Sequence, residues 1–239
     1  QMGITDAPPE YAAFRNQPLT RVDSFGLWST DVHHSIVDDW LLGIPANRAL
    51  RKIYTSYVWP MDCNCVVNVF ELLTSGSDEV DGVDGFTPFA FYSAQSSTGA
   101  YQHAMRSPYE TVAVAQAKYT RFVIMKKGTA IIDSRAAARN KDCEAFQEAI
   151  RTVGKAFHSV SDSYSPSHAG FQVWYGPSDT YRYGLDNPTG PDYATYLTSH
   201  GALEDMISYL GAGANRRRSM IVSIRSQLQT TLDRVLKSR

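Results

Sequence analysis

The stretch from His158 to His168, which reads His-x3-Asp-x5-His, constrains the fold of this chain more than any other. On a helix, His158 and Asp162 lie four residues apart, so their side chains share one face. Pro166 then ends the helix, because it offers no N–H and disfavours a helical residue before it. His168 follows in the turn and can swing back toward the same point. Two imidazoles and a carboxylate converging in this way suit a zinc ion. The plainer alternative is an i,i+4 ion pair near a helix end, with an unrelated histidine beyond it.

Upstream of the motif, Ala145, Phe146, Ala149, Ile150, Val153, Phe157 and Val160 form an apolar stripe at helical spacing. The stripe predicts a helix over 136–163, the longest of the chain, with His158 near the stripe but not on it. Other segments carry the same periodicity. A helix is expected from about Thr30, with Val32, Ile36, Trp40 and Leu41 on one face and Thr30 or Asp31 as its cap. A second is expected from Asn64 to Leu73, ended by Gly76. A third covers 108–126, with Pro108 in its first turn and Val112, Ala115, Tyr119 and Phe122 in step. Further helices are expected over 192–210 and 216–237. Arg216, Arg217 and Arg218 at the start of the last one read as a solvated face.

Between these helices, 75–99 is rich in Gly, Ser and Asp and reads as a loop, with Asp78, Asp81 and Asp84 spaced by three. That spacing is not the one a calcium-binding EF-hand requires. The aromatic- and Gly/Pro-rich stretch 170–191 reads as a long loop, and long ordered loops tend to carry function. No alternating pattern is strong enough to build a sheet. The expected class is mainly α: one compact multi-helix domain over 28–239, with long loops and little or no sheet, preceded by an irregular arm over 1–27.

Composition narrows the partners. The chain has 239 residues, of which 43% are hydrophobic, enough for one domain with a real core. A formal net charge of -1 gives no general attraction to nucleic acid or to an anionic membrane. Cys63, Cys65 and Cys143 are neither a zinc knuckle nor a disulfide-dense scaffold. One bridge can form, which leaves the compartment open. No apolar run approaches the ~18 residues of a membrane span. No signal peptide is expected at residue 1; any such segment lies outside this chain.

All six histidines (His33, His34, His103, His158, His168 and His200) sit where a metal ligand makes sense. His200-x3-Glu204 repeats the i,i+4 pairing of His158 and Asp162. Taken in order, these residues resemble the zinc-dependent phospholipase C and fungal zinc-nuclease superfamily. The central His158-x3-Asp162-x5-His168 has the spacing of that family. His200-x3-Glu204 resembles the late pair of the phospholipase C branch, which has Glu where the nucleases have Asp. Trp28-x4-His33 is similar to the leading Trp and first His, and His33-His34-Ser35-Ile36-Val37 to a His-x-x-Ile-Val run, which favours His33 over His34. Gly76-x4-Asp81 resembles an early carboxylate motif and favours Asp81 over Asp78 and Asp84. His103 falls where the next histidine stands.

The resemblance implies a helical domain built around a multinuclear site of two to three zinc ions. One ion is expected on Asp81, His103, His158 and Asp162, and one on His168, His200 and Glu204. A third is expected on His33 and Asp162, with or without the Trp28 backbone. In the family that Trp is the mature N-terminus, whereas here 27 residues precede it. Either they are removed, or that ion is bound differently or absent. The implied activity is that of a zinc phospholipase C, hydrolysing phospholipid head-group phosphodiesters at a membrane surface through a zinc-activated water. Asp81 is the implied catalytic base. Trp174, Tyr175 and Tyr181 either line the substrate pocket or simply pack the long loop. The resemblance further implies secretion or export, which suits a lipid-degrading enzyme or a toxin-like effector. The alternatives are a zinc nuclease or 3′-nucleotidase on the same scaffold, with nucleic acid as substrate, and a metal-free helical interaction module. No stable protein partner is implied.

Overall fold

Helix α5 (Cys143–Asp162) is the element around which the others pack. In the computed structural model the described residues are 30–43, 46–62, 64–81, 97–165, 168, 170–174 and 214–239. Among them the chain is mainly helical. Helix α1 (Thr30–Leu42) is followed by a short α2 (Arg48–Thr55), capped by the Asn47 side chain, which accepts from the Ala49 N–H. Strands β1 (Tyr57–Val58) and β2 (Val66–Val67) pair antiparallel, Tyr57 opposite Val67. Then come α3 (Val69–Asp81), a 3-10 helix (Ser97–His103), α4 (Val112–Asn140), α5 and α6 (Ala214–Leu236).

The apolar stripe of α5 is buried as its periodicity requires: Phe146, Ala149, Ile150, Val153, Phe157 and Val160 are inaccessible to solvent, while Ala145 is half-buried. Helices α3 and α4 pack most extensively against α5, and α6 lies across both α4 and α5. Trp40 of α1 stacks on Phe157, and Trp59 stacks on Phe146 with ring centroids 4.3 Å apart. Burial of each such ring contributes roughly 1.5–3 kcal/mol. Polar contacts then fix α6: the Trp40 indole N–H donates to Gln229 Oε1, and Arg225 donates to the Trp40 carbonyl. Cys65 and Cys143 form a disulfide that ties β2 to the first turn of α5.

Four expectations are corrected. Val66 and Val67 are in a strand, so the second helix starts at Val69 and runs through Gly76 to Asp81. Gly76 does not end it. The Gly/Ser/Asp-rich segment expected to be a loop over 75–99 is therefore helical at its start, and again from Ser97. Helix α4 begins at Val112, capped by Thr111, and continues to Asn140, so at 29 residues it, not α5, is the longest among the described residues. The break between α4 and α5 is at Lys141, which takes a left-handed conformation (φ 54°) and donates its N–H to the carbonyls of Ala137 and Ala138. Finally, Arg217 is not simply solvated; its guanidinium lies 2.6 Å from Asp39 on α1. The arm over 1–27 and the helix expected over 192–210 lie outside the described residues.

Candidate metal centre

The crossing of α3 and α5 builds the site. A Cβ on Gly76 would lie 2.0 Å from the Arg151 carbonyl oxygen, and one on Gly154 2.3 Å from that of Leu73. Only two glycines let the backbones come this close. From that point the helices carry polar residues along their facing lines, one turn apart. On α3 these are Ser77 and Asp81; on α5 they are His158 and Asp162. His33 joins from α1, where it extends the line of Ile36, Val37 and Trp40. His103 comes from the end of the 3-10 helix, held by a turn in which Ala104 has φ 53°. His168 returns after α5 through successive turns, with Ser165 N–H donating to the Asp162 carbonyl and His168 N–H to that of Ser165.

Six of the residues singled out in the sequence are thus brought together: His33, Asp81, His103, His158, Asp162 and His168, all buried. Asp162 is at the centre. Its Oδ2 lies 3.0 Å from His158 Nε2, 3.3 Å from His103 Nδ1 and 4.0 Å from His168 Nδ1, and its Oδ1 lies 3.2 Å from His33 Nε2. His103 Nδ1 and His158 Nε2 are 2.9 Å apart, and Asp81 Oδ1 is 3.8 and 3.5 Å from them. Zinc bound at about 2.0–2.1 Å by a tetrahedron of N and O donors holds those donors about 3.3 Å apart. The separations among His103, His158, Asp81 and Asp162 bracket that edge, and His103, His158 and Asp162 form one group that could hold a metal ion.

The His33–Asp162 contact points the same way. Nε2 and Oδ1 face each other at 3.2 Å in the buried interior, yet neither makes a hydrogen bond among the described residues. Buried polar atoms are normally paired, so two that face each other without a well-directed hydrogen bond are placed as they would be beside a cation. Electrostatics keeps the donors available. Burial pushes His158 down to about 3, with Asp162 opposing and His33 reinforcing the shift, so its imidazole is neutral at pH 7. Burial alone would push Asp162 up, but the adjacent His158, with His103 and His33 close by, outweighs it and holds the carboxyl well below the usual carboxylate range. Neutral imidazoles and ionised carboxylates are the forms that bind metal. These buried His and Asp groups could hold a metal ion.

The neighbouring candidates point elsewhere. His34 lies one residue further round α1 and pairs with Asp78 at 3.1 Å, away from the centre. Trp174 is 3% exposed and packs with Ala100 and Met105, the packing role that the sequence left open for it. Trp28, Asp84, Tyr175, Tyr181, His200 and Glu204 lie outside the described residues.

Sequence reasoning missed Ser77 and Ser161. Ser77 Oγ is 3.1 Å from His158 Nδ1, and Ser161 Oγ is 2.9 Å from His33 Nδ1. A signal for Ser161 was present: serine is a poor interior helix residue, and Ser159, Ser161 and Ser163 crowd the last turns of α5. Comparison of the chain with known protein families, with curated proteins and with solved structures finds no match in any of the three.

Proposed function

We propose that the chain is a metal-dependent phosphoesterase of the zinc phospholipase C type, acting on phospholipid head-group phosphodiesters. The convergence of His33, His103, His158 and His168 on Asp162, with Asp81 beside His103 and His158, carries this reading. Asp81, His103, His158 and Asp162 would hold one zinc, with Asp162 shared toward a second on His33. His168 would hold a further ion together with His200 and Glu204. Bound zinc would neutralise the phosphodiester and lower the pKa of a water to about 7.

The chain's own residues supply the rest. Asp81 is the most accessible of the six, at 5% exposure, and its carboxylate accepts the proton of the attacking water. That water adds to phosphorus in line, the bond to the alcohol oxygen breaks, and the departing oxygen takes up a proton. A net charge of -1 supports a lipid head group over nucleic acid, whose binding rests on neutralising many phosphates. The Cys65–Cys143 disulfide supports export to an oxidising compartment.

Metal analysis of the purified chain beside His158→Ala tests the reading. About two to three zinc per wild-type chain is expected, with a clear fall in the variant and hydrolysis of phosphatidylcholine exceeding that of 3′-nucleotides and single-stranded DNA. Preference for the nucleotides would transfer the reading to a zinc nuclease. A wild-type protein that takes up no metal from zinc-supplemented buffer would leave a helical interaction module and no enzyme.

A further inference from the structure

We propose that Ser161 is a positioning residue that fixes the proton of His33 on Nδ1 and so aims a lone pair from Nε2 at the metal centre; this rests on the metal-binding reading above. The Ser161 hydroxyl lies 3.0 Å from the Phe157 carbonyl oxygen and 2.8 Å from that of His158, both on its own helix. Its single proton is directed to those oxygens. Toward His33 Nδ1, at 2.9 Å, it therefore presents an oxygen lone pair, and Nδ1 must be the donor.

The opposite arrangement fails on geometry. Were Ser161 to donate to Nδ1, the imidazole proton would be on Nε2. Asp162 Oδ1 is only 3.2 Å from that nitrogen, but a proton there is not directed at it, and no hydrogen bond forms. The tautomer that satisfies both ends of the ring is the one with the proton on Nδ1 and the lone pair on Nε2. A second hydrogen bond commonly sets which imidazole nitrogen binds metal, and its loss typically costs about 10–100-fold in affinity. Ser77 stands in the same place toward His158, whose Nε2 faces His103, Asp81 and Asp162.

Ser159 supplies the control. It is on the same helix and just as buried, and its Oγ makes no hydrogen bond among the described residues. The experiment compares zinc-loaded wild type, Ser161→Ala and Ser159→Ala. It records the imidazole nitrogen NMR spectrum, with His33 assigned by its loss in His33→Asn, and zinc affinity by competition with a chelator. Wild type is expected to carry the His33 proton on Nδ1. Ser161→Ala should weaken zinc binding by about 10–100-fold and let the Nδ1 proton exchange faster, while Ser159→Ala changes neither. A His33 proton on Nε2 in wild type overturns the proposal, as does a Ser159→Ala variant that loses as much affinity as Ser161→Ala. Should Ser161→Ala fail to fold, the wild-type tautomer still decides. A wild type that binds no zinc sinks the metal reading and with it the aim toward a metal, whereas zinc binding with the His33 proton on Nε2 sinks the role of Ser161 alone.

Discussion

His158 and Asp162 make the metal-free chain acid-labile, and the sign follows from their ionisation. His158 is held near 3 in the folded protein against 6.5 for an ordinary histidine. Unfolded chains therefore take up a proton that the folded one refuses. The stability contributed by the neutral buried ring is complete above pH 6.5 and is lost as pH falls toward 3, on the order of 5 kcal/mol in all. Asp162 acts in the same direction at lower pH, because its folded carboxyl is held below the ordinary range and loses its stabilising partners only as it protonates. Denaturant titration of chelator-treated protein should show a loss of roughly 2 kcal/mol between pH 7.5 and pH 5. His158→Gln should flatten that slope, and a flat wild-type profile would show that His158 is not held neutral. At this scale the sequence was informative where helical periodicity separates neighbours. His33 faces inward with Ile36 and Trp40, and His34, one residue on, pairs with Asp78 outside. It was silent on Ser77, and for Ser161 it offered only the crowding of serines in the last turns of α5, because a serine's role depends on which ring nitrogen lies beside it.

Among the elements, glycine is what the sequence could not resolve. Gly76 reads as a helix end because glycine often closes helices, and its real role is the crossing of α3 and α5. Gly76→Ala must push Cβ against the Arg151 backbone, which cannot rotate away. Separation of the helices should cost about 1–3 kcal/mol or more and withdraw Ser77 and Asp81 from His158, so zinc affinity should fall with stability. Gly128 gives the opposite result. It lies inside α4 with nothing near its Cβ position, and it falls in the gap between the helices expected over 108–126 and 136–163, a gap that α4 fills. Gly128→Ala should raise stability by roughly 0.5–1 kcal/mol and leave metal binding unchanged. Thermal melts of both variants, each with and without zinc, check the pair. A neutral Gly76→Ala would mean that the α3–α5 contact is looser than it stands here. The end of α4 was equally hidden, since a lysine, not a glycine, takes the left-handed position there.

Across the molecule, stability and the candidate site are held at opposite ends of α5. The disulfide fastens Cys143 at its first residue, and His158 comes 15 residues later, about 22 Å along the helix axis. The bridge closes a span of 78 residues, which in the chain-entropy account constrains the unfolded ensemble by about 4–5 kcal/mol. That span contains Asp81 and His103, while His33 precedes it and His158, Asp162 and His168 follow it. The bridge thus shortens the search by which the ligand segments meet, without touching any ligand. Three cysteines allow one bridge but do not choose it. The choice depends on the α3–α5 packing, which the sequence did not disclose. Cys143→Ala should therefore lower the melting temperature markedly while leaving zinc stoichiometry unchanged well below the new transition. Calorimetry and metal analysis on the same preparation check this. Loss of zinc from a variant still folded at low temperature would mean that the disulfide holds the site itself, and that the two ends of α5 are not independent.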